Sequence, residues 1–529
     1  MGFVANMNEK FSSSRVGQYF KVKERGSSLT TEIVAGLTTF ATLCYVLPVN
    51  SDILAATGGP CPGEFPAGTD YFADEDYLLC VQDVKKSLLT ATAASSAISC
   101  FLMGMFANMP IQLAPAMGMN AYFAFTVVGV NGGSTVSYET ALTAVFIEGW
   151  IFLALSITGL RQIMAVCFPH CIKEAITPGI GLFLTHIGLQ TSEGIGLVVG
   201  DSATLVHLGG CPPDKRIYPI EFSSWYMCNG NVMTSARTWI GAIAFLCMAL
   251  LLTKRIRTGM LLVIIVVSVM SWFRDTDFTQ FPNDFLGDEK FDYFKKVRAT
   301  SAAARILLMR LRMSSLVTFL YTDLLDATGT MQAVARQSGL TAPDGSYPGQ
   351  KAAFCSDATG IIVGSMMGIS PITAFAESSA GIEAGGRTGL VAIVGAMCFI
   401  IALFFAPILS NIPPWATGPA LLITGALMMQ AVTAIDWKDK KQAIPAFATI
   451  ALMPLTYSIA YGIIGGLITA FFIYTGHYLW ELAAGRMTIQ EIITEIKTVP
   501  GQEDTTDDVA MQKSIEPAPV AGNGNGALA

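Results

Sequence analysis

The sequence predicts an all-α polytopic membrane protein of about fourteen transmembrane segments in a seven-plus-seven inverted repeat. Three observations carry that expectation. Of 529 residues, 52% are hydrophobic and only 13% are Asp, Glu, Lys or Arg, about half the roughly 25% charged share of soluble domains; mean hydropathy is +0.52. Apolar runs such as 240–253, 258–273, 389–409 and 459–475 approach the length a spanning helix needs, about 17–25 residues. Finally, one short span in each half is interrupted by Pro and Gly at corresponding positions, the mark of a transporter built from inverted repeats.

Each element follows from these rules. Hydrocarbon offers no partner to backbone polar groups, so spans are helices or closed barrels, and the alternating segments of a barrel do not occur. The first seven spans read as 33–55, 87–108, 116–131, 138–160, 172–190, 236–253 and 258–273. The second seven read as 313–334, 353–368, 372–384, 388–409, 416–434, 443–458 and 460–482. Lys10, Arg15, Lys21, Lys23 and Arg25 precede the first span, Lys254, Arg255 and Arg257 separate two others, and Lys438, Lys440 and Lys441 two more. The positive-inside rule makes these places, and both termini, cytoplasmic. Residues 1–30 are polar, so no removable signal peptide is expected. The polar, Gly/Pro-rich stretch from Pro500 onward reads as disordered.

The net charge of −7 identifies no partner. P-loop, GxSxG, HExxH and basic–aromatic patterns do not occur, which argues against nucleic acid as a partner. Four scattered histidines supply no nucleophile–base or metal constellation, so neither an enzyme nor a metal site is expected. Seven of the eleven cysteines lie in or beside spans as small buried hydrophobes. The other four bracket polar loops assigned to the outside, so Cys61–Cys80 and Cys211–Cys228 are disulfide candidates, the alternative being four free thiols.

The interrupted spans are "NMPIQLAPAMGMNAYFAF" (108–125) and "MMGISPITAFAESSAGI" (366–382), each third in its half. Pro371 and the glycines are expected to stop a helix at mid-membrane and leave its amide groups facing a ligand. Ionisable residues at membrane depth are costly and point to function. Glu377, about two turns past Pro371, suits a carboxylate accepting N–H bonds from a flat heterocycle, with a structural cap as the plainer reading. Asp323 and Asp326, three apart, share a helix face. Either of these acids or Glu377 is a candidate proton carrier, although Asp323 equally suits an orienting or water-facing role. Glu383 and Arg387 read as a structural i,i+4 pair. Asn120 suits a hydrogen bond to ligand, to a carboxylate or between helices, and Phe375 suits stacking on a planar substrate. His186 reads as a core histidine rather than a relay.

"AGLTTFATLCYVLPVN", "APAMGMNAYFAF", "GIGLFLTHIGLQ", "TDLLDATGTM" and "ITAFAESSAGIEAGGRTGL", in order along residues 20–485, resemble the fungal-type AzgA-like purine permeases of the nucleobase–ascorbate transporter superfamily. The resemblance implies plasma-membrane import of adenine, guanine and hypoxanthine by proton symport, the proton taking the place of any cofactor. It implies an elevator cycle: a core of 33–160 and 313–409 moves against a gate of 161–273 and 410–485. Residues 1–32 form a cytoplasmic segment, 274–312 a connecting loop and 486–529 a cytoplasmic tail. Substrate would meet Asp326, Glu377, Phe375 and Asn120, and homodimerisation through the gate is common in the superfamily. The basic stretch 295–315, with Arg298, Arg305, Arg310 and Arg312, departs from the family and from the positive-inside trend. The alternative is a same-fold permease for uracil or xanthine; two carboxylates disfavour an anionic ligand unless a proton is shared.

Overall fold

A computed structural model describes residues 2–61, 75–130, 136–161, 169–190, 194–201, 205–212, 216–217, 227–228, 232–254, 256, 258–274, 276–283, 285–295, 313–341, 346–375 and 377–484. Most of the basic stretch at 295–315, the tail from Pro500 and Cys167 lie outside these residues. The chain divides into two units, 1–467 and 468–529. Of the second, only 468–484 are described, nearly all within one apolar helix.

Helices α1 (Gly2–Ser13) and α2 (Arg15–Tyr19) precede α3 (Leu29–Leu43) and α4 (Val46–Ala55), which together make the first span. α5 (Glu75–Leu102) runs into a π-helical turn at Met103–Ala107, and α6 (Met117–Ala121) into another at Tyr122–Val128. There follow α7 (Tyr138–Thr158), α8 (His170–Leu189), α9 (Ala236–Thr253), α10 (Gly259–Ser271) and α11 (Phe285–Phe294). The second half holds α12 (Met313–Gln337), α13 (Gln350–Met366), α14 (Ser378–Glu383), α15 (Leu390–Phe404), α16 (Ala406–Leu409), α17 (Pro414–Met428), α18 (Lys440–Leu455) and α19 (Ile459–Ala483).

Side chains set several helix starts. Ser28, Ser137 and Asp439 accept from the amides of Thr31, Thr140 and Lys441, satisfying donors that the first turn leaves open. Among the described residues, six helical stretches are long and apolar enough to cross a membrane, and Met117–Val128, Gly259–Ser271 and Leu390–Phe404 are shorter apolar helices. Proline lies inside α8, α17 and α18, where it removes a ladder bond and favours bending. Large apolar side chains such as Leu246 (63% exposed) and Phe404 (58%) face outward. In a water-soluble protein so many would be a liability; against lipid tails they are matched to their surroundings. Asp52 and Lys85 pair between α4 and α5.

One correction concerns the interrupted spans. Residues 116–131 and 372–384 were expected as helices; Met117–Val128 is helical, but the second begins as an extended segment. Strand β1 (Leu113–Pro115) precedes α6, and its antiparallel partner Ile372–Ala374 precedes α14, with Leu113 opposite Ala374 and Pro115 opposite Ile372. Prolines 110, 115 and 371 remove amide donors, so an extended pair satisfies the remaining groups better than a helix would. Between them in the chain lie β2 (Val198–Asp201) paired with β3 (Leu205–Leu208), and β4 (Arg216–Ile217) paired with β5 (Met227–Cys228). Ile372–Ala374 is therefore β6.

Candidate functional site

The site grows from the β1–β6 crossing. The amide of Ala116 donates to Pro371 O (2.9 Å) and that of Phe375 to Gln112 O (3.2 Å), extending the pair at both ends. Gln112 locks it further. Its amide donates to Ser378 Oγ (3.0 Å), and its Nε2 donates to the carbonyls of Gly36 and Val391, so β1 is pinned to α3, α14 and α15. Helices α4, α8 and α12 pack against α6, and α12 also lies against β6 and α14.

A strand occupies residues 372–374, so Glu377 is not two turns into a helix. It stands at the entry to α14 with helical φ and ψ. Its Oε1 accepts from the Tyr45 hydroxyl at 3.0 Å, and that hydroxyl lies 3.1 Å from Thr424 Oγ1. Tyr45 is buried, whereas Glu377 keeps part of its surface open. Asn120, on α6, is fully buried, and neither its Oδ1 nor its Nδ2 has a hydrogen-bond partner among the described residues. An unpaired buried amide is costly. Thr373 Oγ1, on β6, is buried and unpartnered in the same sense. Phe375 is buried directly after β6. Asp323 is fully buried on α12; Asp326 lies one turn along the same helix, with its side chain outside the described set.

Three further expectations have outcomes. Glu383 and Arg387 do not form the i,i+4 ion pair: α14 ends at Glu383, and Gly385 adopts φ 100°, so helical spacing is lost. Arg387 Nη1 instead donates to the carbonyls of Ile382 (2.7 Å) and Gly386 (2.8 Å). His186 is half-buried beside Gln190, whose Oε1 accepts from the Tyr457 hydroxyl (3.1 Å). Cys61 and Cys80 are joined by a disulfide, and Cys211 is disulfide-bonded; the side chain of Cys228 lies outside the described set.

A crossing of two interrupted segments amid packed helices is a transporter architecture, and comparison decides which. The family model described as Permease family, Xan_ur_permease, matches residues 74–209 and 226–465. The chain belongs to this permease family.

A Schizosaccharomyces pombe protein named putative xanthine/uracil permease is 44% identical to the permease over 485 residues, 88% of this chain and 77% of that one. An Aspergillus versicolor protein named efflux pump notK' is 41% identical over 503 residues, covering 91% and 85%. The guanine/hypoxanthine permease PbuO of Bacillus subtilis is 34% identical over 452 residues, covering 85% and 92%. Among solved structures, the transmembrane domain of the cyanobacterial bicarbonate transporter BicA superposes with a TM-score of 0.53 at 14% identity, covering 82% of the permease and 97% of that chain. At such identity the match shows the fold, the seven-plus-seven inverted repeat read from the sequence.

Several buried or bonded polar residues escaped the sequence reading. Tyr45 and Gln112 are polar groups in apolar runs, "TLCYVLP" and "PIQLAP", and the rule that singled out Asn120 also applies to them. Glu148 and Asp357, both fully buried, were visible as acids within spans by the same rule that found Asp323.

Proposed function

We propose that this permease imports the purine nucleobases adenine, guanine and hypoxanthine by proton symport, with elevator-type alternating access at the plasma membrane. The observation that carries the reading is Asn120, a buried amide with a free donor and a free acceptor, on the helix that leaves the β1–β6 crossing. A purine edge offers complementary acceptors and donors, and Asn amides pair with such edges in two-bond fashion. Glu377, with one oxygen engaged by Tyr45, suits a ring N–H. Phe375 would give the ring an apolar face, and Asp326 a second carboxylate. In this reading the core comprises 33–160 and 313–409 and the gate 161–273 and 410–485. The bonds Tyr45–Thr424 and Thr126–Tyr457 O (2.9 Å) cross between them and would break and re-form during the cycle. The co-transported proton is the only further ligand required. Both termini are cytoplasmic, and dimerisation runs through the gate.

The test is radiolabelled hypoxanthine uptake in cells lacking their own purine permeases, in mildly acidic and mildly alkaline medium. Glu377→Gln and Asp326→Asn are assayed at matched surface expression. Saturable uptake that falls in alkaline medium and is lost in either variant supports the reading. Uptake surviving both substitutions would remove these residues from the site. The relative named for xanthine and uracil keeps a second reading in view. Competition decides between them: unlabelled adenine and guanine displace hypoxanthine under the first, xanthine or uracil under the second. Export from preloaded cells without uptake would reverse the direction.

A further inference from the structure

A second cluster of buried polar groups is centred on α7. Glu148 is fully buried, and neither carboxylate oxygen has a hydrogen-bond partner among the described residues. Its neighbour Gly149 lets α7 and α13 come close: a Cβ there would stand 2.7 Å from Ile362 Cγ1 and 3.0 Å from Ile362 N. Asp357 on α13 and Asp323 on α12, both fully buried, lie within electrostatic range of Glu148.

The one cation buried here is Arg161, just past α7. Its Nη2 donates to Asp357 Oδ2 and its Nε to Thr328 Oγ1, both at 3.2 Å, and the guanidinium lies over the rings of Phe152 and Phe354. Tyr347 and Cys355 are the other titratable groups near Arg161. Lys351 on α13 and Arg336 on α12 are exposed, and the side chain of Asp326 is outside the described set.

Asp357 has the Arg161 guanidinium as its counter-charge, whereas among the described residues neither oxygen of Glu148 has a partner. A buried carboxylate without a counter-charge is strongly disfavoured, so Glu148 requires a positive charge of its own. Among the described residues, no three acidic or His/Cys groups are arranged to hold a metal ion. A proton fits where a metal does not.

We propose that Glu148 takes up and releases the co-transported proton, passing between carboxylate and carboxylic acid without touching the substrate. This rests on the proton-symport reading above. The link to substrate is α12, which presents Asp323 to the cluster and carries Asp326 three residues further on. A change in charge at the substrate end of α12 alters the field at Glu148 within one helical turn. Loading Glu148 removes its charge from the cluster and permits the substrate-bearing segment to move; release of the proton on the low-proton side restores the repulsion.

The experiment compares wild type and Glu148→Gln in the same cells, at matched surface expression. It measures protonophore-sensitive accumulation of hypoxanthine and exchange of internal for external hypoxanthine. Glu148→Gln, permanently neutral, is expected to lose accumulation above the external concentration and to keep exchange, because exchange needs no net proton movement. Accumulation equal to wild type overturns the proposal, as does loss of exchange together with accumulation. If the Gln variant does not reach the membrane, Glu148→Asp decides: a shifted pH profile of accumulation supports the proposal and an unchanged profile overturns it. A wild type that moves hypoxanthine without regard to pH or protonophore sinks the symport reading itself, an outcome distinct from a failure of Glu148 alone.

Discussion

Tyr45 shows how much rests on one hydroxyl. It donates to Glu377 Oε1 and lies within bonding distance of Thr424 Oγ1, so it orients the carboxylate and ties span 1 to span 12. Hydrogen bonds to charged groups contribute about 1.5–3 kcal/mol. Tyr45→Phe removes the donor while preserving the ring. The expected outcome is a roughly tenfold to hundredfold rise in the KM for hypoxanthine, measured by uptake at matched surface expression. Glu32 is a contrasting acid, fully buried and fully engaged. It accepts from the amides of Arg387 (2.9 Å) and Thr388 (3.2 Å) and from Thr388 Oγ1 (2.8 Å), holding the turn between α14 and α15. Burial of an acid alone does not mark a functional site; the open bonding capacity at Asn120 and Glu148 does.

Among elements, the N-terminal segment acts as a clamp on the interrupted spans. Phe20 and Val22 pack with Leu390, and Arg25 Nη1 donates to the carbonyls of Asn108 (2.6 Å) and Arg387 (2.9 Å). Asn108, with φ 49°, closes the π turn after α5; its Oδ1 accepts from Gly389 N (2.7 Å) and its Nδ2 donates to Phe20 O (3.0 Å). One short segment thereby joins the approach to β1 with the turn between α14 and α15. Helix–helix spacing is equally exacting where α7 meets α13. Gly149→Leu would drive a side chain into Ile362 and its backbone. Overpacking of this kind costs about 1–3 kcal/mol, so lower surface expression and a lower melting temperature in detergent are expected. A Gly149→Ala protein is expected to be less affected.

Across the described residues, buried polar groups such as Glu32, Asn120 and Glu148 are set among apolar side chains, and many large apolar side chains are exposed. The Cys61–Cys80 disulfide closes a loop with a sequence separation of 19 at the end of the first span. A crosslink of that span stabilises a fold by about 2–4 kcal/mol. Cys61→Ser is therefore expected to lower the melting temperature of the purified permease, and reductant is expected to lower it by a larger step in wild type than in the variant, which retains the disulfide of Cys211. Hypoxanthine affinity should change little, because neither Cys61 nor Cys80 belongs to the β1–β6 crossing.

The fourteen segments were legible in the sequence because hydrocarbon imposes one rule on every span: apolar side chains outside and backbone bonds satisfied within. The pairing of two interrupted segments was legible for a related reason, since Pro and Gly at membrane depth have few explanations. Their extended form was not, because Leu113–Pro115 and Ile372–Ala374 become strands only by facing each other, 259 positions apart in the chain as Leu113 and Ile372. Tyr45 at Glu377, and Glu148 opposite Asp323 and Asp357, are likewise products of packing. By itself the sequence determined that the chain crosses a membrane, in how many segments, and which two are broken. Only the tertiary structure decided which buried polar groups meet partners and which remain open, because hydrogen bonding between side chains depends on distances that no periodicity encodes.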